Sequence, residues 1–227
     1  MGPASGADPE WPSRRYLIDW RSVICKAGHM ELVSDQTSRF DVGVIIGSLR
    51  AESVTRRLAE ALMLLSPVSL SMRVIEIGDL PLYNEDLDIE IASEAPPAWT
   101  RFRHEVSQSD AILFVTPEYN RSVPAPLKNA IDVGSAPHDQ NVFAGLPAAI
   151  VSASPGRMGA FGANHHLRQS LVFLDMPTMQ QPELYLGGSY NLLDGDGRVS
   201  DPKVTQMLTR YGDRFAAWVQ QHATVSA

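Results

Sequence analysis

Asp41-Val-Gly-Val-Ile-Ile-Gly-Ser-Leu-Arg-Ala-Glu-Ser-Val-Thr-Arg-Arg-Leu-Ala-Glu60 is the stretch that decides the fold. Its apolar run ends in a small polar turn, and an amphipathic helix begins at once. A strand that feeds a helix through a short hydroxyl-bearing loop has the layout of an anion site. The first N–H groups of such a helix lack intrahelical partners and face whatever lies before them. Ser48, Ser53 and Thr55 each carry a hydroxyl, and Arg50 offers a charge-assisted fork. The glycine pattern of a dinucleotide turn and the Gly-Lys-Ser/Thr of a triphosphate loop are both missing, so these residues suit a terminal monophosphate. They equally suit a plain βα turn with Ser53 as its N-cap.

The rest of the chain extends the same pattern. Phe40–Ile46, Arg73–Ile77, Ala111–Val115 and Ala148–Ser152 read as strands, most of them nearly unbroken apolar runs. Between them lie helical stripes. Val54, Leu58, Ala61, Leu62 and Leu65 form the first; Trp99, Phe102 and Val106 the second, after Pro96-Pro97. Leu127, Ala130 and Ile131 form the third, Leu167, Ser170, Leu171 and Leu174 the fourth, and Val204, Leu208, Tyr211, Phe215 and Val219 the last. A fifth strand is expected from either Met176–Met179 or Glu183–Leu186. This alternation predicts an α/β fold, a parallel sheet with right-handed crossovers and helices on both faces. In such a sheet the ligand crevice lies beyond the carboxyl ends of the strands, where the winding direction switches.

A second polar turn falls at such an end, Thr116-Pro-Glu-Tyr-Asn-Arg-Ser-Val-Pro124. Pro117 and Pro124 stiffen it; Glu118, Tyr119 and Asn120 are held between them. A stiff backbone can present N–H groups to a heterocycle edge, and Tyr119 can cover a ring face. The two loops together suggest one ligand with a phosphate at one end and a flat polar ring at the other.

The bulk numbers limit the alternatives. A chain of 227 residues with 44% hydrophobic residues suffices for one domain with a sizeable core. Its net charge of −7 argues against nucleic acid as a partner. No apolar run approaches the roughly 18 residues needed to cross a bilayer, so no membrane association is expected. The single cysteine, Cys25, permits no internal disulfide and suggests a cytoplasmic setting. Glu31 occupies the place where a Cys-x5-Arg phosphatase loop would need arginine. Residues 1–39 read as a poorly ordered extension, residues 40–222 as the domain and residues 223–227 as a tail. Met30 is a possible start of the biological chain.

Gly47-Ser-Leu-Arg-Ala-Glu-Ser53 and Pro117-Glu-Tyr-Asn-Arg-Ser-Val-Pro-Ala-Pro-Leu-Lys-Asn-Ala-Ile-Asp132 closely resemble the NAD(P)H-dependent FMN reductase family, which includes quinone, azo-dye and chromate reductases. The likeness continues through Ser152-Ala-Ser-Pro-Gly-Arg-Met-Gly159 and His166-Leu-Arg-Gln-Ser-Leu-Val-Phe-Leu-Asp175. The resemblance implies a flavodoxin-like, three-layer α/β/α fold with a five-stranded parallel sheet and non-covalent FMN. Ser48, Arg50, Ser53 and Thr55, with Leu49 and Val54 in the same loop, would hold the FMN phosphate. Pro117, Glu118, Tyr119 and Asn120 would meet the isoalloxazine, with Ser154 and its neighbours closing the other side. The family commonly has asparagine where Thr55 stands.

NADPH or NADH would then pass hydride to flavin N5. A small-molecule electron acceptor (a quinone, free flavin, azo compound or metal oxyanion) would take the electrons by ping-pong turnover. No protein acid or base is implied as catalytic, and relatives of this kind form homodimers or homotetramers. Two other classes share these residues: an FMN electron carrier without NAD(P)H turnover, and an interaction module that has lost the cofactor.

The remaining motifs read as structural. Adjacent His165 and His166 diverge on a helix and cannot clamp a metal as an i,i+4 pair does. Asp194-Gly-Asp-Gly-Arg198 lacks the bidentate acid of a calcium loop and reads as a tight turn. Glu85-Asp-Leu-Asp-Ile-Glu90 reads as a solvated loop, within a Pro81–Pro97 connection long enough to border a substrate entrance. Met158, Met176 and Met179 read as core or interface packing.

Overall fold

A computed structural model describes residues 39–88, 95–137 and 139–223. Strands β1 (Phe40–Ile46), β2 (Leu70–Ile75), β3 (Ala111–Thr116), β4 (Ala148–Ala153) and β5 (Leu184–Leu186) form one sheet in the order β2-β1-β3-β4-β5. Every pairing is parallel, with Val42 opposite Ala111 and Ile112 opposite Ala148 fixing the central register. The chain winds outward from β1 to β2 and returns to place β3 beside β1. The winding therefore switches between β1 and β3.

Five helices cover the sheet: α1 (Val54–Leu65), α2 (Pro97–Ser107), α3 (Ala125–Ser135), α4 (Phe161–Phe173) and α5 (Pro202–His222). Side-chain alternation along each strand sorts the core into two halves. Val42, Val44, Ile46, Leu113 and Val151 pack with Leu58 and Leu62 of α1 and Leu208, Tyr211 and Phe215 of α5. Ile45, Ile112, Phe114 and Ile150 face the other way, onto Trp99 and Phe102 of α2, Leu127 of α3, and Leu167 and Leu171 of α4. The layers are α/β/α, with α1 and α5 on one face and α2, α3 and α4 on the other.

Two expectations need correction, and a third, the fifth strand, is met by one of its two candidates. Strand β2 covers Leu70–Ile75 rather than Arg73–Ile77. As an edge strand it pairs Phe40 with Leu70, and Ile77 enters the opposite core half from the loop beyond. Of the two segments expected to supply the fifth strand, Glu183–Leu186 does so, as Leu184–Leu186, and Thr178 contributes an isolated bridge to Ala148. The acid run is not wholly solvated, because the Asp88 carboxylate is 4% exposed and takes two hydrogen bonds, 2.9 and 2.6 Å, from Arg103. Arg103 also donates to the Val133 carbonyl at 2.8 Å, so this pair ties the loop to α2 and α3. Glu90 and most of the sequence extension lie outside the described residues.

The reading of Asp194–Arg198 as a tight turn holds. Asp194 Oδ1 accepts from the N–H groups of Asp196 and Arg198, closing a tight turn. Among the described residues no cluster of three His, Cys, Asp or Glu could hold a metal. Met176 and Met179 are buried, whereas Met158 is exposed. Among the described residues no helix is long and apolar enough to cross a membrane.

Candidate functional site

Four strand ends open into one cleft of about 170 Å³, open to solvent on one side. From the β1 end it is lined by Ser48, Arg50, Ser53, Val54 and Thr55; from the β3 end by Pro117, Glu118 and Tyr119. Ala153, Ser154 and Pro155 contribute from β4, and Ser189 and Tyr190 from β5. The residues expected from sequence are thereby brought together, with two exceptions. Leu49 is exposed and turns toward Gly78, where an added Cβ would lie 3.4 Å from its Cδ2. Asn120 is exposed and lies outside the lining.

The β1 loop is built as an anion cradle. Ser53 caps α1, its Oγ accepting from Arg56 N at 3.3 Å, and Val54 and Thr55, which open the helix, line the cleft. Ser48 is 4% exposed and Thr55 5% exposed, yet neither hydroxyl bonds to another described residue. Both therefore keep their bonding capacity for whatever enters. Arg50 has no ion-pair partner among the described residues and is exposed at the rim. These two hydroxyls, the Arg50 guanidinium and the helix N-terminus make a donor set that fits a phosphate monoester.

The β3 loop is held rigid from two sides. Tyr119 and Ser122 exchange backbone hydrogen bonds of 3.1 and 3.0 Å, and Asn120 and Arg121 between them have φ of 51° and 64°. Positive φ at both central residues marks a primed two-residue turn, and asparagine tolerates that region well. The Glu118 carboxylate reaches across to α4, accepting from Ala163 N at 3.1 Å. It supplies the cap that Ala160, the N-cap residue of α4, cannot. His166 Nδ1 lies 3.0 Å from Ser122 Oγ and makes a second tie. Glu118 thus sits at the cleft with its charge engaged by a helix N-terminus. Tyr119 remains partly exposed on the cleft wall.

Ser154 shapes its loop while facing the cleft. Its Oγ donates to the Gly156 carbonyl at 3.2 Å and accepts from Ala160 N at 3.1 Å. Sequence reasoning missed Ser189 and Tyr190. The one local signal was Gly187-Gly188 after a short apolar run; Gly188 adopts φ 62° and turns the chain back over β4. A cleft with hydroxyl and guanidinium donors at one end and Tyr119 on its wall has the chemistry for a ligand that joins a phosphate to a flat ring.

The chain is similar to known proteins over most of its length. The sequence profile of the NADPH-dependent FMN reductase family matches residues 40–191. A quinone reductase from Pseudomonas putida is 57% identical over 187 residues, covering 82% of this chain and 98% of that protein. A 2-hydroxy-1,4-benzoquinone reductase from a Burkholderia species is 39% identical over 179 residues, covering 79% and 96% of the two chains. Among solved structures, the flavoenzyme NAD(P)H:(acceptor) oxidoreductase FerB from Paracoccus denitrificans superposes with a TM-score of 0.76 at 37% identity, covering 82% of this chain and all of that one. With its flavodoxin-like topology and a cradle-and-ring cleft at the switch point, the chain belongs to the NADPH-dependent FMN reductase family.

Proposed function

We propose that this protein is an FMN-dependent NAD(P)H oxidoreductase that delivers electrons to a quinone-type acceptor, with the cleft at the β1–β3 switch point as its flavin site. The observation that carries the reading is that Ser48 and Thr55, on buried residues, turn hydroxyls without a partner among the described residues to the cleft beside Arg50, which has no ion-pair partner among them. Bound FMN would supply the redox chemistry, accepting hydride from a nicotinamide and releasing electrons to the acceptor. Arg50, Ser48, Ser53, Thr55 and the first turn of α1, entered through Val54, hold its phosphate. Pro117, the Glu118 backbone and Tyr119 position the ring, and Ser154 bounds it from β4. Leu49 and Asn120 act through the shape of their loops.

The Glu118 carboxylate, fixed on α4, keeps the ring loop from drifting when the site empties. NADH or NADPH and the acceptor use the open side of the cleft in turn, a ping-pong order. Quinones are the leading acceptor class because relatives covered over nearly their full length carry that activity in their names. Free flavins, azo compounds and metal oxyanions suit the same open face. The reductase domain in this reading spans residues 40–222, with residues 1–39 as extension and 223–227 as tail. The protein works in the cytoplasm as a homodimer or homotetramer.

Purified protein loaded with FMN is expected to be yellow and to oxidise NADH or NADPH steadily when a benzoquinone is present. Flavin that binds but gives no quinone-dependent turnover would assign the chain to the electron carriers. Protein that takes up no FMN would point to an interaction module instead.

A further inference from the structure

We infer that the turn after β5 is a fourth wall of the cofactor site, with Ser189 hydrogen-bonding to bound FMN and Tyr190 covering it. This inference rests on the reading of the cleft as an FMN site.

Ser189 is 2% exposed, and its hydroxyl bonds to no other described residue although it lines the cleft. The hydroxyl oxygen itself is not sealed off, so on an otherwise buried residue it is open to an oxygen or nitrogen that enters the cleft. The turn that carries it is firmly sewn to the β4 loop. Ser189 N donates to the Ser154 carbonyl at 3.1 Å, Gly188 N to the Gly156 carbonyl at 3.3 Å, and Ser154 N to the Leu186 carbonyl at 3.0 Å. Gly187 lets the two backbones touch, since an added Cβ would sit 2.6 Å from the Arg157 carbonyl oxygen. The position of Ser189 is therefore set before any ligand arrives.

Tyr190 follows on the same rigid turn. Its ring lines the cleft, is 60% exposed, and stacks on no other aromatic ring among the described residues. A large aromatic left uncovered beside a cleft gains most by packing against a ligand. The sheet order places β3 and β4 between β1 and β5. The turn does not stay at the β5 edge: Ser189 is bonded to the β4 loop, and four residues past Tyr190 the Asp194 carbonyl accepts from Arg57 of α1 at 2.6 Å. Ser189 and Tyr190 therefore close the cleft from its β4 side, opposite the β3 loop's Pro117 and Tyr119 and in the same cleft as the cradle residues that meet the phosphate.

FMN titration of the apoprotein, followed by flavin fluorescence, tests this alongside thermal melts of the same apoproteins. Ser189→Ala is expected to raise the FMN Kd about 3- to 10-fold, the size of one neutral hydrogen bond. Its apoprotein melting temperature should stay at the wild-type value, because the hydroxyl holds nothing in the protein. Tyr190→Ala should raise the Kd by a similar factor and hasten FMN release, whereas Tyr190→Phe keeps wild-type values. Wild-type affinity in both Ser189→Ala and Tyr190→Ala, with Arg50→Ala weakened, would overturn the fourth wall and leave the cofactor site intact. A fall in apoprotein melting temperature that accompanies the loss of affinity in Ser189→Ala would assign that residue to folding and likewise overturn its role. Absence of FMN binding by the wild type would remove the cofactor reading and this inference together.

Discussion

Arg50 carries a full charge at the mouth of a site whose other donors are neutral. It has no ion-pair partner among the described residues, so a ligand phosphate would be its first strong contact. Arg50→Ala is expected to weaken FMN binding by about 1.5–3 kcal/mol, the range for a hydrogen bond to a charged group. Fluorescence titration returning the wild-type affinity would refute the phosphate assignment. The cradle was legible in sequence because its residues are neighbours along the chain, and strand–loop–helix continuity alone places them around one point. Glu118 shows where that legibility stops. Its position in the ring loop was expected, but its carboxylate caps α4 through Ala163 N, forty-five residues further along the chain. No local pattern announces such a partner.

Elements are joined here by close backbone approaches and by one shielded ion pair. At Gly47, where β1 ends, an added Cβ would lie 2.9 Å from Thr116 Oγ1 and 3.1 Å from Leu127 Cδ2. Thr116 cannot swing away freely, since its hydroxyl donates to the Pro117 carbonyl at 2.8 Å. Gly47→Ala should push the β3 loop off the β1 loop. Chemical denaturation should show a loss of about 1–3 kcal/mol, typical of overpacking. Asp88→Ala should be more damaging for its size. It strips Arg103, 15% exposed, of its carboxylate, and breaking a buried pair from one side costs about 3 kcal/mol. A denaturation midpoint at the wild-type value would show that water replaces the carboxylate without penalty. Sequence reading took Asp88 as part of a solvated run because acid runs usually are. Its partner sits on α2, and burial there is a tertiary event. The shift of β2 has the same kind of cause: an edge strand buries less on each face, so its apolar signal is diluted and its ends blur.

Across the whole molecule, Tyr211 links α5 to the sheet. Its buried hydroxyl donates to the Ile150 carbonyl at 2.8 Å, and burial holds its pKa far above the ordinary tyrosine value. Burial, reinforced by the neighbouring Glu183, pushes Tyr185 from 10.0 up to about 12. A phenol whose folded pKa is raised contributes fully below the unfolded pKa, near 10, and loses that contribution as pH climbs through the folded value. Stability should therefore fall above pH 10. Tyr211→Phe should cost about 1 kcal/mol at neutral pH, one hydrogen bond, and should move the alkaline unfolding midpoint upward. An unmoved midpoint would show that this phenol does not govern alkaline unfolding. The sequence by itself determined the α/β alternation, the two polar loops at strand ends and the donor chemistry of the first, because periodicity and adjacent residues act over a few positions of chain. Only the tertiary structure decided that four strand ends share one cleft, that Glu118 belongs to α4 and that Ser189 and Tyr190 face the site. Those facts depend on β5 lying beside β4 and on α4 docking over the ring loop, contacts made by packing between segments far apart in the chain.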